Sequence, residues 1–166
     1  MKVLVAYESK HGSTKAIAER IAATLADHGL GADARSMDEL SDLGSYDAFV
    51  FGSAVYYGGW MKQAVDFVRG HALLIVDKPV WLFSSGPVGT PMPADPKDIA
   101  LLRATIKPRD HHVFYGALDR DNLSIGERLV VNVVKAPDGD FRDWDDVEQW
   151  ATGIARRLDG SSLVPA

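Results

Sequence analysis

The chain has 166 residues, 46% of them hydrophobic and 25% charged, with a formal net charge of −5 and no cysteine. That is enough chain for one domain with a core of its own and too little for two ordinary ones. The acidic balance excludes a nucleic-acid binder, which needs a basic stripe, and the missing thiols exclude disulfides, thiolate metal sites and thiol redox chemistry.

Any electrons must therefore sit on a bound cofactor, and no metal site is expected. The N-terminus runs straight into a first strand, so no signal peptide is expected. No apolar run approaches transmembrane length, so no integral membrane segment is expected either. The cytoplasm is the default compartment, and peripheral attachment to a membrane is compatible with it.

Val3-Leu4-Val5-Ala6-Tyr7 is too short and too β-branched for a helix and reads as the first strand. Ile17, Ile21 and Leu25 follow at i, i+4 and i+8, one face of a first helix. The six residues between them, Ser9-Lys10-His11-Gly12-Ser13-Thr14, form the strand-to-helix turn. A helix N-terminus leaves N–H groups without partners and carries partial positive charge, so a phosphate fits there. Ser9, Ser13 and Thr14 add hydroxyl donors, and Gly12 lets the backbone approach closely. A plain capping turn accounts for any one of these residues alone.

Gly29 and Gly31 stop the first helix. Ala32 to Arg35 is a weak strand at or near a sheet edge, and Asp47 to Gly52 a strong buried one. Ser53 to Trp60 then reads as a loop holding three aromatic rings and two adjacent glycines. Met61, Ala64, Val65 and Val68 give the next helix, ending near Arg69-Gly70-His71. Pro79 to Ser85 is a strand opening into the proline-rich loop Gly86 to Pro93. Asp98 to Lys107 is helical and ends at Pro108. His112 to Ala117 is the fifth strand, and Trp144, Val147, Ile154 and Leu158 mark a last helix.

Strands alternating with helices imply an α/β fold: a doubly wound five-stranded parallel sheet, order 2-1-3-4-5, in three layers. Residues 1–159 form the single domain and 160–166 a flexible tail. In this order ligands bind beyond the carboxyl ends of strands one, three and four. The three most unusual loops follow those three strands. Tyr56 and Tyr57, beside Gly58-Gly59, offer a stacking wall for a planar ring, while Trp60 reads as a core residue. Ser84, Ser85 and Gly86 can reach the opposite edge with backbone donors. The five histidines are scattered, and only His11 lies in a candidate loop. Glu8, Asp119 and Asp121 read either as surface charges or as groups that keep the site negative.

The hexamer resembles the flavodoxin phosphate loop, Ser/Thr-x-Thr-Gly-x-Thr. Ser9, Gly12 and Thr14 match it, and His11 stands where a hydroxyl residue is usual. It matches neither the triphosphatase loop nor the dinucleotide-binding fingerprint. Nor does the chain supply the acidic groups of a phosphoacceptor receiver, having Glu8-Ser9 and Gly52-Ser53 at the relevant strand ends. A phosphate at one end and a flat heterocycle at the other describe flavin mononucleotide (FMN).

Ala54-x-Tyr56-Tyr57-Gly58, His71 near the end of the following helix, and Gly139 to Trp144 resemble the menaquinone-dependent protoporphyrinogen oxidase type of flavodoxin-domain protein. The resemblance implies an FMN-dependent oxidoreductase with a quinone acceptor and a porphyrinogen substrate. The other class is a flavodoxin-type electron carrier serving a larger redox partner. Either way the cofactor contacts are expected from Ser9 to Thr14, from Ala54, Val55, Tyr56, Tyr57 and Gly58, and from Ser84, Ser85 and Gly86. Gly58 is expected beside flavin N5, and no protein acid or base is assigned. Between Leu118 and Pro137, Leu129, Val130, Val133 and Val134 fall on one stripe if helical, though their branching also permits a strand. The stripe reads either as a seal on the sheet edge or as an apolar wall for a quinone, with Arg120 and Arg128 near anionic groups of the partner.

Overall fold

The computed structural model describes residues 1–86, 95–119, 121, 123–134 and 139–160, with 130–134 described in backbone alone. β1 (Lys2–Glu8) leads into α1 (Ser13–Asp27), then β2 (Gly31–Ser36) and β3 (Ala48–Tyr56). β3 turns back on itself as β4 (Gly59–Trp60), followed by α2 (Lys62–Gly70) and the single turn α3 (Ala72–Ile75). β5 (Val80–Ser85), α4 (Ile99–Ile106) and β6 (Asp110–Phe114) complete the parallel sheet. Beyond it lie β7 (Ala117–Leu118), α5 (Ile125–Val134), β8 (Gly139–Asp140) and α6 (Trp144–Leu158).

The strands order as β2-β1-β3-β5-β6, all parallel, with β4 added antiparallel to β3. This is the expected 2-1-3-4-5 winding. Alternation along the central strands divides the core in two. Val3, Val5, Val50 and Phe83 face α1 and α6, whereas Leu4, Phe49, Phe51 and Leu82 face α2, α3 and α4. Both faces are covered, which is why β1, β3 and β5 read as unbroken apolar runs rather than as alternation. Each fully buried Leu, Val or Phe contributes about 1.5–3 kcal/mol from its removal from water. β2, at the edge, is only half-buried.

Two boundaries differ from the sequence reading. The segment Ser53 to Trp60 is no open loop: β3 continues through Tyr56, and Tyr57-Gly58 is a two-residue hairpin turn with φ of 50° and 75°. Positive φ at both central positions belongs to the turn whose twist matches paired strands. The fifth parallel strand runs Asp110–Phe114, earlier than expected, because the chain beyond it turns away. There Gly116 passes so close to Gly86 that an added Cβ would sit 3.2 Å from the Gly86 Cα, and Ala117 pairs with Asp140 instead. The segment after β7 contains a helix, α5, which settles the choice left open between helix and strand. Residues 87–94 of the proline-rich loop, Arg120, the side chains of Val130, Val133 and Val134, and the tail from 161 lie outside the described residues.

A polar strut crosses the sheet behind the hairpin. Trp60 Nε1 donates to Ser84 Oγ at 2.8 Å, and the same oxygen lies 2.8 Å from His111 Nε2. His111 Nδ1 lies 3.1 Å from Asp95 Oδ1, and Asp95 in turn pairs with Arg103 at 2.8 Å. The His111 side chain is fully buried, and this desolvation pulls its pKa below the ordinary imidazole value despite Asp95 and Asp110, with Arg103 adding to the fall.

Two expectations follow from this packing. The Phe83 ring occupies the space beside Gly52, where a Cβ would meet ring carbons at 2.0–2.5 Å. Gly52→Ala therefore has to move a fully buried ring, and it is expected to lower stability by about 1–3 kcal/mol in urea unfolding. The second concerns pH. A histidine whose pKa is lower in the folded state leaves stability unaffected well above its unfolded value near 6.5. As pH falls below that value the unfolded chain takes up a proton that the folded chain refuses, so stability is lost. His111→Gln is expected to flatten the decline in melting temperature between about pH 6.5 and 5, measured by thermal scans across that range.

Candidate functional site

Parallel pairing brings the carboxyl ends of β1, β3 and β5 to one edge, where β1 and β3 finish side by side at Glu8↔Ser53 and β3 and β5 at Ala54↔Ser85. The loop Ser9–Gly12 leaves β1 at this edge. Gly12 caps α1 with φ 85° and ψ −10°, a left-handed conformation natural to glycine, and donates its N–H to Ser9 Oγ at 3.1 Å. Nothing lies within 4 Å of where its Cβ would stand. Ser13 Oγ accepts the Ala117 N–H at 3.1 Å and keeps its own proton available. Thr14 Oγ1 is buried with no hydrogen-bond partner.

A buried hydroxyl without a partner is costly, and so are the free N–H groups of a first helical turn. Together they suit an acceptor-rich anion such as a phosphate. Glu8, immediately before the loop, is 6% exposed, and burial raises its carboxyl pKa, with Asp38 adding to the rise. A carboxyl held toward its neutral form limits the repulsion that a neighbouring anion would meet.

Lys10 adds positive charge, and His11 stands beside it. Both reach Glu127 of α5: Lys10 Nζ pairs with Glu127 Oε1, and His11 Nε2 lies 3.2 Å from the same oxygen. The other oxygen, Oε2, accepts the Ser124 N–H at 2.9 Å. The Lys10 ammonium, with help from Ser124 and His11, holds the Glu127 carboxyl well below the usual carboxylate range. Lys10 also stands over the Tyr56 ring, 5.9 Å from its centroid, so the loop and the hairpin meet through it.

Tyr56 is half-buried and its phenol is pushed up to about 12, by burial first and by Glu127 second. It is a neutral ring at physiological pH. Tyr57, at the turn, is 82% exposed. The turn is tied down from behind: Lys97 N–H donates to the Gly58 carbonyl at 3.0 Å and Trp60 N–H to Asp98 Oδ2 at 2.9 Å. Gly59 is required for this approach, since a Cβ would meet Asp98 Oδ2 and Lys97 Cε at 2.6 Å. Ser53 Oγ accepts the Met61 N–H at 3.0 Å and fixes the exit into α2.

Ala54 and Val55 lie in the last turns of β3 and only partly open to the edge. Ser84 and Ser85 are buried at the end of β5, and the Ser84 hydroxyl is committed to Trp60 and His111. Gly86, with φ 102°, donates its N–H to Phe114 O at 3.0 Å. The structure thus brings the first loop and the hairpin together, while Ser84 lies within the sheet, paired with Ser53 and Val113.

Sequence reasoning missed Glu127, Lys97 and Asp98. Only Glu127 carried a signal, the Ser124-x-x-Glu127 capping box, in which Glu127 N also faces Ser124 Oγ at 3.4 Å. Among the described residues no cluster of side chains is suited to a metal ion, and no helix is long and apolar enough to cross a membrane.

A curated relative, protoporphyrinogen IX dehydrogenase [quinone] of Escherichia coli strain K12, is 24% identical, with 98% of this chain and 99% of that protein covered. Among solved structures, a flavodoxin from the domain Archaea superposes with a TM-score of 0.68 at 17% identity, covering 96% of this chain and 99% of the other. Rubredoxin:oxygen oxidoreductase from Desulfovibrio gigas superposes at 0.65 and 16% identity, and there 98% of this chain covers 37% of the larger one. The family model for the flavodoxin domain matches residues 4–145, and with it FMN is implied as cofactor; the chain belongs to the flavodoxin domain family.

Proposed function

We propose that this flavodoxin-type oxidoreductase uses FMN to take electrons from a porphyrinogen and pass them to a quinone. The observation that carries the reading is α5. Docked against the first loop through Glu127, it leaves Ile125 83% and Leu129 62% exposed, two aliphatics one turn apart beside the cofactor edge. A lipid-soluble acceptor is recognised by apolar surface, whereas a water-soluble one is not. The whole-length likeness to a quinone-dependent porphyrinogen dehydrogenase supports the same assignment.

The bound flavin supplies the electron transfer itself, and the chain supplies binding and orientation. Ser9, Ser13 and Thr14 would present hydroxyl donors to the phosphate and the first turn of α1 its N–H groups, with Lys10 as counter-charge and His11 beside it. Tyr56 and Tyr57 would flank the ring system, and Ala54, Val55, Ser85 and Gly86 would frame it with backbone. Gly58, whose carbonyl accepts the Lys97 N–H, would face the reacting edge of the ring.

The second reading, an electron carrier for a larger redox protein, is favoured by the acidic net charge of −5 and by the whole-chain match to a flavodoxin. Steady-state turnover of the FMN-loaded protein with a porphyrinogen donor and a menaquinone analogue separates the two, since a carrier shows no appreciable quinone reduction.

Thr14→Val removes the unpartnered hydroxyl at nearly constant shape. Without ligand the variant is expected to be at least as stable as the parent, because a buried unsatisfied group is gone. Its FMN affinity is expected to fall about tenfold or more, the equivalent of one hydrogen bond to a charged group at about 1.5–3 kcal/mol. Flavin fluorescence titration alongside thermal unfolding reads both signs. Ile125→Asp and Leu129→Asp put charge on the exposed face of α5. Each is expected to raise the quinone KM by about tenfold while FMN affinity stays within about threefold. An unchanged KM in both variants removes α5 from the acceptor path.

A further inference from the structure

Resting on the phosphate-loop reading, we propose that Glu127 is a positioning residue that competes with the cofactor's phosphate and so tempers the site's affinity for it: it holds Lys10 and His11 in the absence of ligand and yields both to the ligand's phosphate. Lys10 Nζ and His11 Nε2 converge on one carboxylate oxygen, Oε1. They are also the only titratable side chains of the loop Ser9–Gly12 between β1 and α1. A phosphate seated on that loop needs the same two groups, and its oxygens compete directly with Glu127 for them. Were Glu127 to stay in place, a carboxylate and a dianion would share one lysine and one histidine in a half-enclosed space. The side chains of Glu127, His11 and Lys10 are 20%, 24% and 50% exposed, so water screens the repulsion only in part.

Glu127 can let go at low cost because its second oxygen serves its own helix. Oε2 holds the Ser124 N–H within the capping box, and that bond survives when Oε1 is vacated. Lys10 has a second anchor as well, the Tyr56 ring, which keeps the ammonium beside the loop after the exchange. The consequence is a tempered affinity for phosphate. A ligand bearing one must displace Glu127 from Lys10 and His11, whereas a flavin without one leaves Glu127 in place.

The test compares FMN with riboflavin, which lacks the phosphate, in four proteins: the parent, Glu127→Gln, Lys10→Met and the double variant. Dissociation constants are read from flavin fluorescence. Glutamine keeps the capping hydrogen bond but not the charge. Glu127→Gln is expected to tighten FMN about tenfold, one charge-assisted contact no longer broken on binding, while moving riboflavin less than about threefold. Lys10→Met is expected to cost more FMN affinity in the Glu127→Gln background than in the parent, because there the lysine's attraction to phosphate is no longer offset by a lost ion pair.

Weaker FMN binding by Glu127→Gln, or a smaller Lys10→Met loss in its background, overturns the proposal and makes Glu127 an organiser of the bound site. Parallel shifts for FMN and riboflavin overturn it too. Equal affinity of the parent for the two ligands is a different failure: it removes the phosphate-loop assignment, and the proposal falls with it.

Discussion

The side-by-side parallel pairing of β1 and β3, from Val3↔Ala48 to Glu8↔Ser53, is the constraint on which the rest of the site depends. It is set by burial on both faces. Val3 and Val5 share one core with Val50, and Leu4 and Ala6 share the other with Phe49 and Phe51. A slip of one residue would exchange the two faces of β3, taking Gly52 away from the Phe83 ring and turning Ser53 from Met61. Because register is fixed this firmly, the loop after β1 and the hairpin after β3 leave the sheet as neighbours. Lys10 then reaches the Tyr56 ring without any special connection.

What the sheet cannot fix is the hairpin itself. Tyr57 holds a left-handed backbone that costs a non-glycine residue about 1–3 kcal/mol, and it gains little burial in return. The compensation comes from polar contacts behind the turn, at Lys97, Asp98 and the Trp60–Ser84–His111–Asp95 strut. Trp60, Ser84 and the His111 side chain are buried, Asp98 is half-buried and Asp95 and Lys97 are exposed; the buried members have protein partners, the setting in which hydrogen bonds specify one geometry. Thr14 differs in kind. Its hydroxyl is equally buried but unpaired, so the protein without ligand carries a penalty at the place where an anion relieves it. Rigid satisfaction under the hairpin and an unmet demand in the first loop are the two halves of a preorganised site.

The winding order, the two-sided core and the first loop were all legible in the sequence, because each rests on a short-range pattern. Val3 to Tyr7 is an unbroken apolar run, Ile17, Ile21 and Leu25 keep helical period, and Ser9 to Thr14 is contiguous. The end of β3 was misread for the opposite reason. Tyr56-Tyr57-Gly58-Gly59 looks like loop chemistry, yet a hairpin turn that needs positive φ uses the same residues. The end of β6 was displaced because the close approach of Gly116 to Gly86 is a tertiary fact with no local trace. Glu127 meets Lys10 across 117 positions, and His111 meets Ser84 across 27. No period or motif joins residues that far apart; only the folded sheet does.

α5 therefore has two jobs that pull against each other. Its first turn must be polar, because Ser124 and Glu127 cap the helix and close on the loop cations. Its outward face nonetheless carries Ile125 and Leu129, both exposed. Isolated exposed aliphatics are ordinary, so their weight comes from position: they sit one turn apart on the helix that Glu127 holds at the cofactor edge. If the cofactor's phosphate competes for the Glu127 ion pair, as proposed above, cofactor binding is coupled to the placement of that apolar face.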